Sequence, residues 1–524
     1  MKKRPDIAKI LFIITMVLMF LPMLQQFSGL INFKPLKGVT NEVPKPVLSF
    51  DNYRSGKFQS QAEKYMSANF GFRQPFIRLY NQYIWTCYHK TNVESLVIGK
   101  DNWLYEHYFV DDYEGKRALN YADNQEELKK LLRDNAIRIR KLQEILEQYG
   151  KHLFVLVEPG KNRVYPEYLP DSCVKAPDSL VTAAEFYPYL FDSLGINNMN
   201  CDKWFLEMKG NVGFDLFPQT GTHWSNIASI YVTDSLIRYM EQLGGINMKN
   251  IVLGEQYIEK KAKNSDNDLE QMLNLMFTMH DVPTKFVDFA YDDDTTAVKP
   301  RMILIGDSFF WNIANNAHPD KVFENYFYWF YNSTIYFDSS FNNTTQTDIV
   351  DQLLNTDYVV LAACTGQLYA MDWGFTNRAI LHLCYDQDEI DSVFNKMVEI
   401  MLTSPEWRAS LQEKADAQGC TIEEKANEDA NYLIYNYPER YFTELNDEHP
   451  TPRNSILEAL SAHDDPVGEV LRTMLNNPKW MEETRQKAKE NGQSVSETML
   501  SNAKWVVCQR GMQAIDTTET AGAN

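Results

Sequence analysis

"RMILIGDSFFWN", residues 301–312, runs from a short apolar stretch straight into Gly306-Asp307-Ser308. Two other runs share its character: "LFVLV" (153–157) leads into Glu158-Pro-Gly-Lys161, and "YVVLAA" (358–363) leads into Cys364-Thr-Gly-Gln367. Each is too short for a helix, and each is apolar without alternation. That is the pattern of strands buried on both faces, as in a parallel sheet covered by helices. The expected class is therefore α/β, a parallel sheet with helices on both faces. Ligands in such sheets bind beyond the carboxyl ends of the strands, where all three runs deliver polar residues. One covering helix is legible in "QEELKKLLRDNAIRIRKLQEILEQY" (125–149), which repeats apolar residues at three and four and stops at Gly150.

At 524 residues, 44% hydrophobic and 23% charged, the chain is globular and too long for one ordinary core. A formal net charge of −20 with no basic stripe argues against a nucleic-acid partner, because phosphate neutralisation needs clustered Lys and Arg. Seven cysteines, at 87, 173, 201, 364, 384, 420 and 508, form no C-x-x-C pair and define neither a metal site nor a disulfide framework. No cofactor is expected.

The N-terminus is the one strongly biased segment. Lys2, Lys3, Arg4 and Lys9 precede a charge-free apolar run from Ile10 to Leu24. That flank leaves the N-terminus in the cytoplasm and sends the body across the membrane. No small-x-small cleavage site follows, so residues 1–30 read as an uncleaved anchor, with a cleaved signal as the alternative. Residues 31–120 read as a linker and an aromatic-rich extension, 121–390 as the α/β domain, and 391–524 as a helical region. Within the last, the stretches starting at Met401 and Met474 align at a constant offset of 73, pairing Pro405 with Pro478, Trp407 with Trp480, Gly419 with Gly492 and Glu424 with Glu497. Each copy reads as two helices around a Gly stop. With only two copies, a small packed bundle carrying no chemistry is expected.

Ser308, at a strand-to-helix turn, would have an exposed hydroxyl, with backbone N–H groups nearby to stabilise an oxyanion. It needs a base. Of nine histidines, His89, His107 and His152 lie beside Lys or aromatic residues, and His449 and His463 fall in polar loops. His223 differs. It follows Thr-Gly-Thr and precedes Ser225, an N-cap for a helix that starts beyond it, so a neutral imidazole suited to a general base is favoured there.

These pieces resemble the SGNH-hydrolase-like alginate O-acetyltransferases and their relatives in bacterial polysaccharide acetylation. The motifs occur in that family's order: "VIGKDNWLYE" from Val97, "VLVEPGKNRVYPEYLP" from Val155, "TGTHWS" from Thr220, "ILIGDSF" from Ile303 and "DYVVLAACTGQL" from Asp357. The resemblance spans roughly residues 50 to 390. It implies a permuted SGNH-hydrolase-like (flavodoxin-like) fold, Ser308 as nucleophile and His223 as base, a polysaccharide acceptor, and a membrane-bound O-acyltransferase partner that exports the acetyl group. The family's Asp-x-His has its Asp two residues before the His, where this chain has Gly221. The nearest upstream carboxylate is Asp215, eight residues before His223, with Pro218 and Gly221 between them to fold the loop back. Asp215 is therefore the candidate orienting acid, against the alternatives that it caps a turn or faces solvent and that Ser308 and His223 work as a dyad. Gly306, Asp307 and Gln367 are expected at the oxyanion or substrate, and Lys161 is expected to hold an anionic sugar or structural carbonyls.

The resulting expectation is an extracytoplasmic, inner-membrane-anchored O-acetyltransferase working through a Ser–His acetyl-enzyme. The alternatives are an acetylesterase that uses water, and a catalytically weak glycan-binding scaffold. A Ser308 to His223 separation beyond about 5 Å would favour the scaffold, because hydrogen-bond reach would be lost.

Overall fold

The computed structural model describes residues 7–38, 43–262, 264–279, 282–450, 452–453, 465–475, 477–491 and 498–510. Lys2, Lys3, Arg4, His463, Gly492 and Glu497 lie outside the described residues.

Six strands form the central sheet: β1 (His152–Glu158), β2 (Asn198–Asn200), β3 (Arg301–Gly306), β4 (Asn325–Phe330), β5 (Thr334–Tyr336) and β6 (Tyr358–Cys364). Their order is β2-β1-β6-β3-β4-β5. The three apolar runs are thus adjacent. They are parallel, with Cys364 opposite Glu158 and Ala362 opposite Gly306, so their polar ends emerge together at one edge. Every residue of β6 is buried, which is why its sequence does not alternate. The sheet departs from the all-parallel expectation at β5, which runs antiparallel to β4. Only residues 331–333 separate the two, too few for a crossover, and Tyr331 and Asn332 turn the chain with φ of 47° and 48°.

Successive strand residues feed two cores, as the pleat requires. Leu153, Val155 and Val157 face Gln125–Gln148, whose Leu132, Ile139, Leu142 and Leu146 form the stripe read from the sequence. Asn124 caps that helix by accepting from the Glu126 and Glu127 N–H groups. Phe154 and Leu156 face the other way, toward Asn226–Gly244, which buries Ile227, Leu236 and Met240. Trp103, Tyr105 and Phe109 also lie in this second core, so part of the segment expected as extension is packed into the α/β domain.

An antiparallel ribbon, Ile251–Glu259 with Thr284–Tyr291, is inserted between the Asn226–Gly244 helix and β3. The excursion between its strands carries the short helix Asp268–Met272. The C-terminal region is helical. Pro405–Gln418 and Ile422–Asn436 make one pair around Gly419, and Pro478–Asn491 with the helix at 498–510 makes another. Met401, Leu411, Ala426 and Ala430 form a small core of their own. Val470, Leu471, Met474, Met499 and Leu500 instead join the core that holds Leu142 and Leu153. The region is therefore partly fused to the α/β domain and is not a separate bundle.

Ile7–Ser28 is, among the described residues, the one helix long and apolar enough to cross a membrane. After it, Phe50–Arg54, Lys57–Ala68 and Arg73–Tyr88 are helices with no buried residue.

Candidate active site

The end of β3 delivers Ser308. The Gly306 carbonyl accepts from the Tyr331 N–H at 2.9 Å. Asp307 is buried, and its carboxylate is committed to backbone: Oδ1 accepts from the Phe309 N–H at 3.1 Å and Oδ2 from the Cys364 N–H at 2.9 Å. Its carbonyl accepts from the Tyr328 hydroxyl. Asp307 therefore clamps the Ser308 turn to the end of β6, and both of its carboxylate oxygens accept from backbone N–H groups instead of facing a substrate. Beneath it Glu158 is fully buried, and burial together with the neighbouring Asp307 carboxylate holds its pKa well above the usual carboxylate range.

His223 Nε2 lies 2.8 Å from Ser308 Oγ. Its Nδ1 lies 2.7 Å from a carboxylate oxygen, and that oxygen is Oδ2 of Asp268. The other oxygen of Asp268 accepts from the Thr222 N–H at 2.9 Å, so the carboxylate is fixed at both ends. Asp215 is not the orienting acid. It is exposed, its side chain lines a separate cavity of about 470 Å³, and only its carbonyl joins the local network, accepting from Ser225 Oγ at 2.7 Å. The loop does close, but through backbone: Ser225 donates its N–H to the Leu216 carbonyl at 2.9 Å and its hydroxyl to the Asp215 carbonyl, and the Asp215 side chain makes no hydrogen bond to His223.

Why Gly221 stands at the family's Asp position is visible in the packing. A Cβ on Gly221 would sit 2.5 Å from the Ser265 carbonyl oxygen and 3.0 Å from the Asp266 carbonyl carbon. The inserted excursion occupies that space. Thr220 Oγ1 donates to the Asp266 carbonyl at 3.0 Å, and the Glu270 N–H donates to the Thr220 carbonyl at 3.2 Å. The fully buried Asp266 accepts from the Asn226 N–H at 3.0 Å at the helix start, and burial pushes its pKa up to about 7. From the other side Lys161, fully buried, donates to the carbonyls of Leu104 at 2.7 Å, Gln219 at 3.1 Å and Gly221 at 2.7 Å. Of its two expected roles it takes the structural one, and its ammonium is spent on the His223 loop. Burial lowers its pKa to about 7.

The electrostatics of His223 differ from the helix-start expectation. Burial pulls its pKa down, but the hydrogen bond and charge of Asp268, with Glu106 and Asp307 adding, raise it above the ordinary value. Glu106 accepts from Thr222 Oγ1 at 2.8 Å, and burial raises its own pKa. The Tyr331 phenol lies near Ser308, Asp307 and Glu106, and burial pushes its pKa up. Gln367 is tied to Arg117. Its side-chain oxygen accepts from Arg117 Nη2 at 3.3 Å, and no hydrogen bond joins it to Ser308 or His223. Among the described residues no group of three or more His, Cys, Asp or Glu side chains converges as a metal site.

Asp268, Glu106, Thr222 and Tyr331 are the site residues that sequence reasoning missed. Gly221 was the one available signal that the acid comes from elsewhere, and nothing local in "NSDNDLEQM" marks which carboxylate it is. A serine, an imidazole and a carboxylate joined at 2.8 and 2.7 Å constitute a nucleophile, a base and the base's orienting group, the set needed for acyl transfer through a covalent intermediate.

Residues 96–314 match the family model of the SGNH hydrolase-like domain, acetyltransferase AlgX. The motifs that start at Val97, Val155, Thr220 and Ile303 fall within that segment, and the one that starts at Asp357 lies beyond it. No curated protein matches the chain. Among solved structures, the chain is similar to the O-acetyltransferase domain of Pseudomonas putida AlgJ, at 14% identity over 52% of this chain and 92% of that one, with a TM-score of 0.36. It is similar to Pseudomonas aeruginosa AlgX at 13% identity over 51% and 55%, with a TM-score of 0.30. For Bacillus cereus PatB1 the values are 10%, 52%, 96% and 0.29.

Proposed function

We propose that this protein is an O-acetyltransferase that modifies an exported or cell-surface polysaccharide, held outside the cytoplasm by the Ile7–Ser28 helix. The observation that carries the reading is the continuous Ser308–His223–Asp268 relay, with both hydrogen bonds at or below 2.8 Å.

In the first half-reaction Ser308 Oγ attacks the acetyl carbonyl of the donor while His223 Nε2 accepts the hydroxyl proton. Asp268 holds Nδ1–H, which leaves the Nε2 lone pair directed at Oγ and stabilises the imidazolium that forms. The tetrahedral oxyanion needs a hydrogen-bond donor beside Ser308, and the nearby Tyr331 phenol is the candidate for it. Collapse of that intermediate breaks the bond to the leaving group, which departs with the proton from His223. In the second half-reaction a sugar hydroxyl gives its proton to His223 and attacks the acetyl-Ser308 carbonyl. The sugar ester leaves and Ser308 regains its proton. The donor side fits an integral membrane O-acyltransferase partner, which would present the acetyl group at the bilayer surface next to the anchor.

Ser308→Ala tests the reading. Ser308 is only part-buried, so its hydroxyl contributes little to folding. The variant should keep the parent's melting temperature and lose both aryl-acetate turnover and the mass shift of acetylated Ser308. Equal acetate release by the variant and its parent would refute the assignment.

A further inference from the structure

The helix Arg73–Tyr88 has two faces of opposite use. One is bound to the catalytic domain: Asn81 Nδ2 donates to the Leu273 carbonyl at 2.8 Å, and Trp85 packs on the cluster formed by Leu96, Leu269 and Leu273. The other carries Phe76, Leu79, Tyr80 and Tyr83 at spacings of three and four, one continuous stripe, and each is at least 50% exposed. A soluble protein does not leave such a stripe uncovered without a use for it.

Two independent observations identify what covers it. The first is position. Ile7–Ser28 is about 33 Å long, close to the roughly 30 Å of bilayer hydrocarbon. Gly71, two residues before the Arg73 helix, packs so closely on that span that an added Cβ would lie 2.1 Å from the Pro22 carbonyl oxygen and 2.9 Å from the Gln26 nitrogen. Pro22 lies only two residues, about 3 Å, inside the end of the apolar run at Leu24, where Gln25 and Gln26 follow, which puts Gly71 and the flanking Phe70 and Phe72 near the boundary between acyl chains and headgroups. The Phe72 ring contacts both Phe33 and Phe76, at centroid distances of 5.3 and 6.3 Å, and so continues this apolar surface into the helix. The second observation is charge. Residues 31–90 carry nine Lys and Arg against three Asp and Glu, a net +6 in a chain whose total is −20.

We infer that the Phe76–Tyr83 face is an interfacial membrane-binding surface that seats the protein in the outer leaflet of an anionic phospholipid bilayer. Tyr and Phe rings suit the headgroup level, and the basic residues suit the negative surface. The inference rests on the anchor reading. Its consequence for the site is direct: the domain-facing side of the same helix grips Leu273, five residues after Asp268, so the leaflet fixes the height at which the relay stands.

The test uses the full chain with its accessible cysteines changed to Ser, carrying single substitutions Leu79→Cys, Tyr83→Cys, Val17→Cys or Tyr432→Cys. Each is labelled with an environment-sensitive fluorophore and reconstituted in nanodiscs of phosphatidylglycerol and phosphatidylethanolamine, or of phosphatidylcholine alone, with and without lipids spin-labelled near the headgroup. Labels at 79 and 83 should shift to the blue and be quenched about twofold or more, and this should weaken in phosphatidylcholine or high salt. If they behave like the distant label at 432 while the label at 17 reports hydrocarbon, the anchor stands and the interfacial face is refuted. Equal quenching in phosphatidylcholine refutes the anionic-lipid assignment. A shift seen only in native membranes that contain other proteins assigns the face to a protein partner and overturns the lipid seat. A water-exposed label at 17 overturns the anchor reading itself.

Discussion

Replacing Asp268 by Asn changes little in size and leaves the hydrogen bond from the Thr222 N–H intact if the new amide turns its oxygen that way. The amide nitrogen then faces His223 Nδ1, where a carboxylate oxygen stood at 2.7 Å. Two donors cannot share that contact, so the imidazole adopts the tautomer in which Nδ1 accepts and Nε2 carries the hydrogen. Nε2 then points a hydrogen at Ser308 Oγ and has no lone pair to receive the hydroxyl proton. The charge that stabilised the imidazolium is lost as well. In a serine protease the same change at the triad acid lowers kcat about 10⁴-fold. The relay here is as tightly built, so a loss of about 10³ to 10⁴ in kcat is expected, or about 4 to 5.5 kcal/mol at 1.36 kcal/mol per decade. Asp268 positions His223 and touches no acetyl group in the proposed mechanism, so KM should change little. Initial rates on an aryl acetate, with Asp215→Asn in parallel and thermal melts of both, decide the matter. Asp268→Asn within about tenfold of the parent in kcat, or a comparable loss from Asp215→Asn, would refute the reasoning.

Three further outcomes follow from the same geometry. Because the His223 pKa is raised, kcat/KM should rise with pH about a midpoint above the ordinary value near 6.5 and, in Asp268→Asn, the midpoint should fall; a parent midpoint at or below that value would contradict the pairing. The sign for stability is opposite: a raised folded pKa stabilises fully below the unfolded value and that stability is lost as pH rises through the folded value, so urea midpoints of parent and Asp268→Asn should converge at alkaline pH. Lys161→Met leaves three buried carbonyl contacts without their donor and should cost about 3 kcal/mol or more in chemical denaturation, with activity falling alongside; an unchanged midpoint would show that the loop does not depend on it. Gly221→Asp, which copies the family motif, should lose activity and stability because the Ser265 carbonyl already fills the space, and a gain in rate would show that the loop can open.

The strands and the helix after Ser225 were legible because they depend on local pattern, whereas the pairing of Ser308 with His223, 85 residues apart, rested on the resemblance to the family's motifs. An apolar run without alternation reports burial on two faces, and an N-cap serine reports a helix start, whatever the rest of the chain does. The antiparallel β5 was not legible, since it depends on two non-glycine residues, Tyr331 and Asn332, taking left-handed conformations that no side-chain pattern announces. Asp307 was recognised as belonging to the site, but its carboxylate holds backbone N–H groups, and of the two roles left open for Lys161 the structure shows the carbonyl contacts. A short sequence motif places a charged group near a strand end without saying whether backbone groups or a ligand will satisfy it.

The acid was the hardest residue to find, and the reason is physical. In the family pattern the carboxylate precedes the histidine by two residues, within reach of a local motif. Here it arrives 45 residues later, on an excursion whose docking depends on contacts made by residues other than the acid: Asp266 on the helix start, Thr220 on the Asp266 carbonyl and Glu270 on Thr220. The same docking that brings Asp268 to Nδ1 drives the Ser265 carbonyl into the space a side chain at 221 would need. Glycine at 221 and aspartate at 268 therefore both depend on the one docked excursion. Restoring an acid at 221 without removing the excursion places two acids in competition for one imidazole nitrogen, in a volume that holds only one.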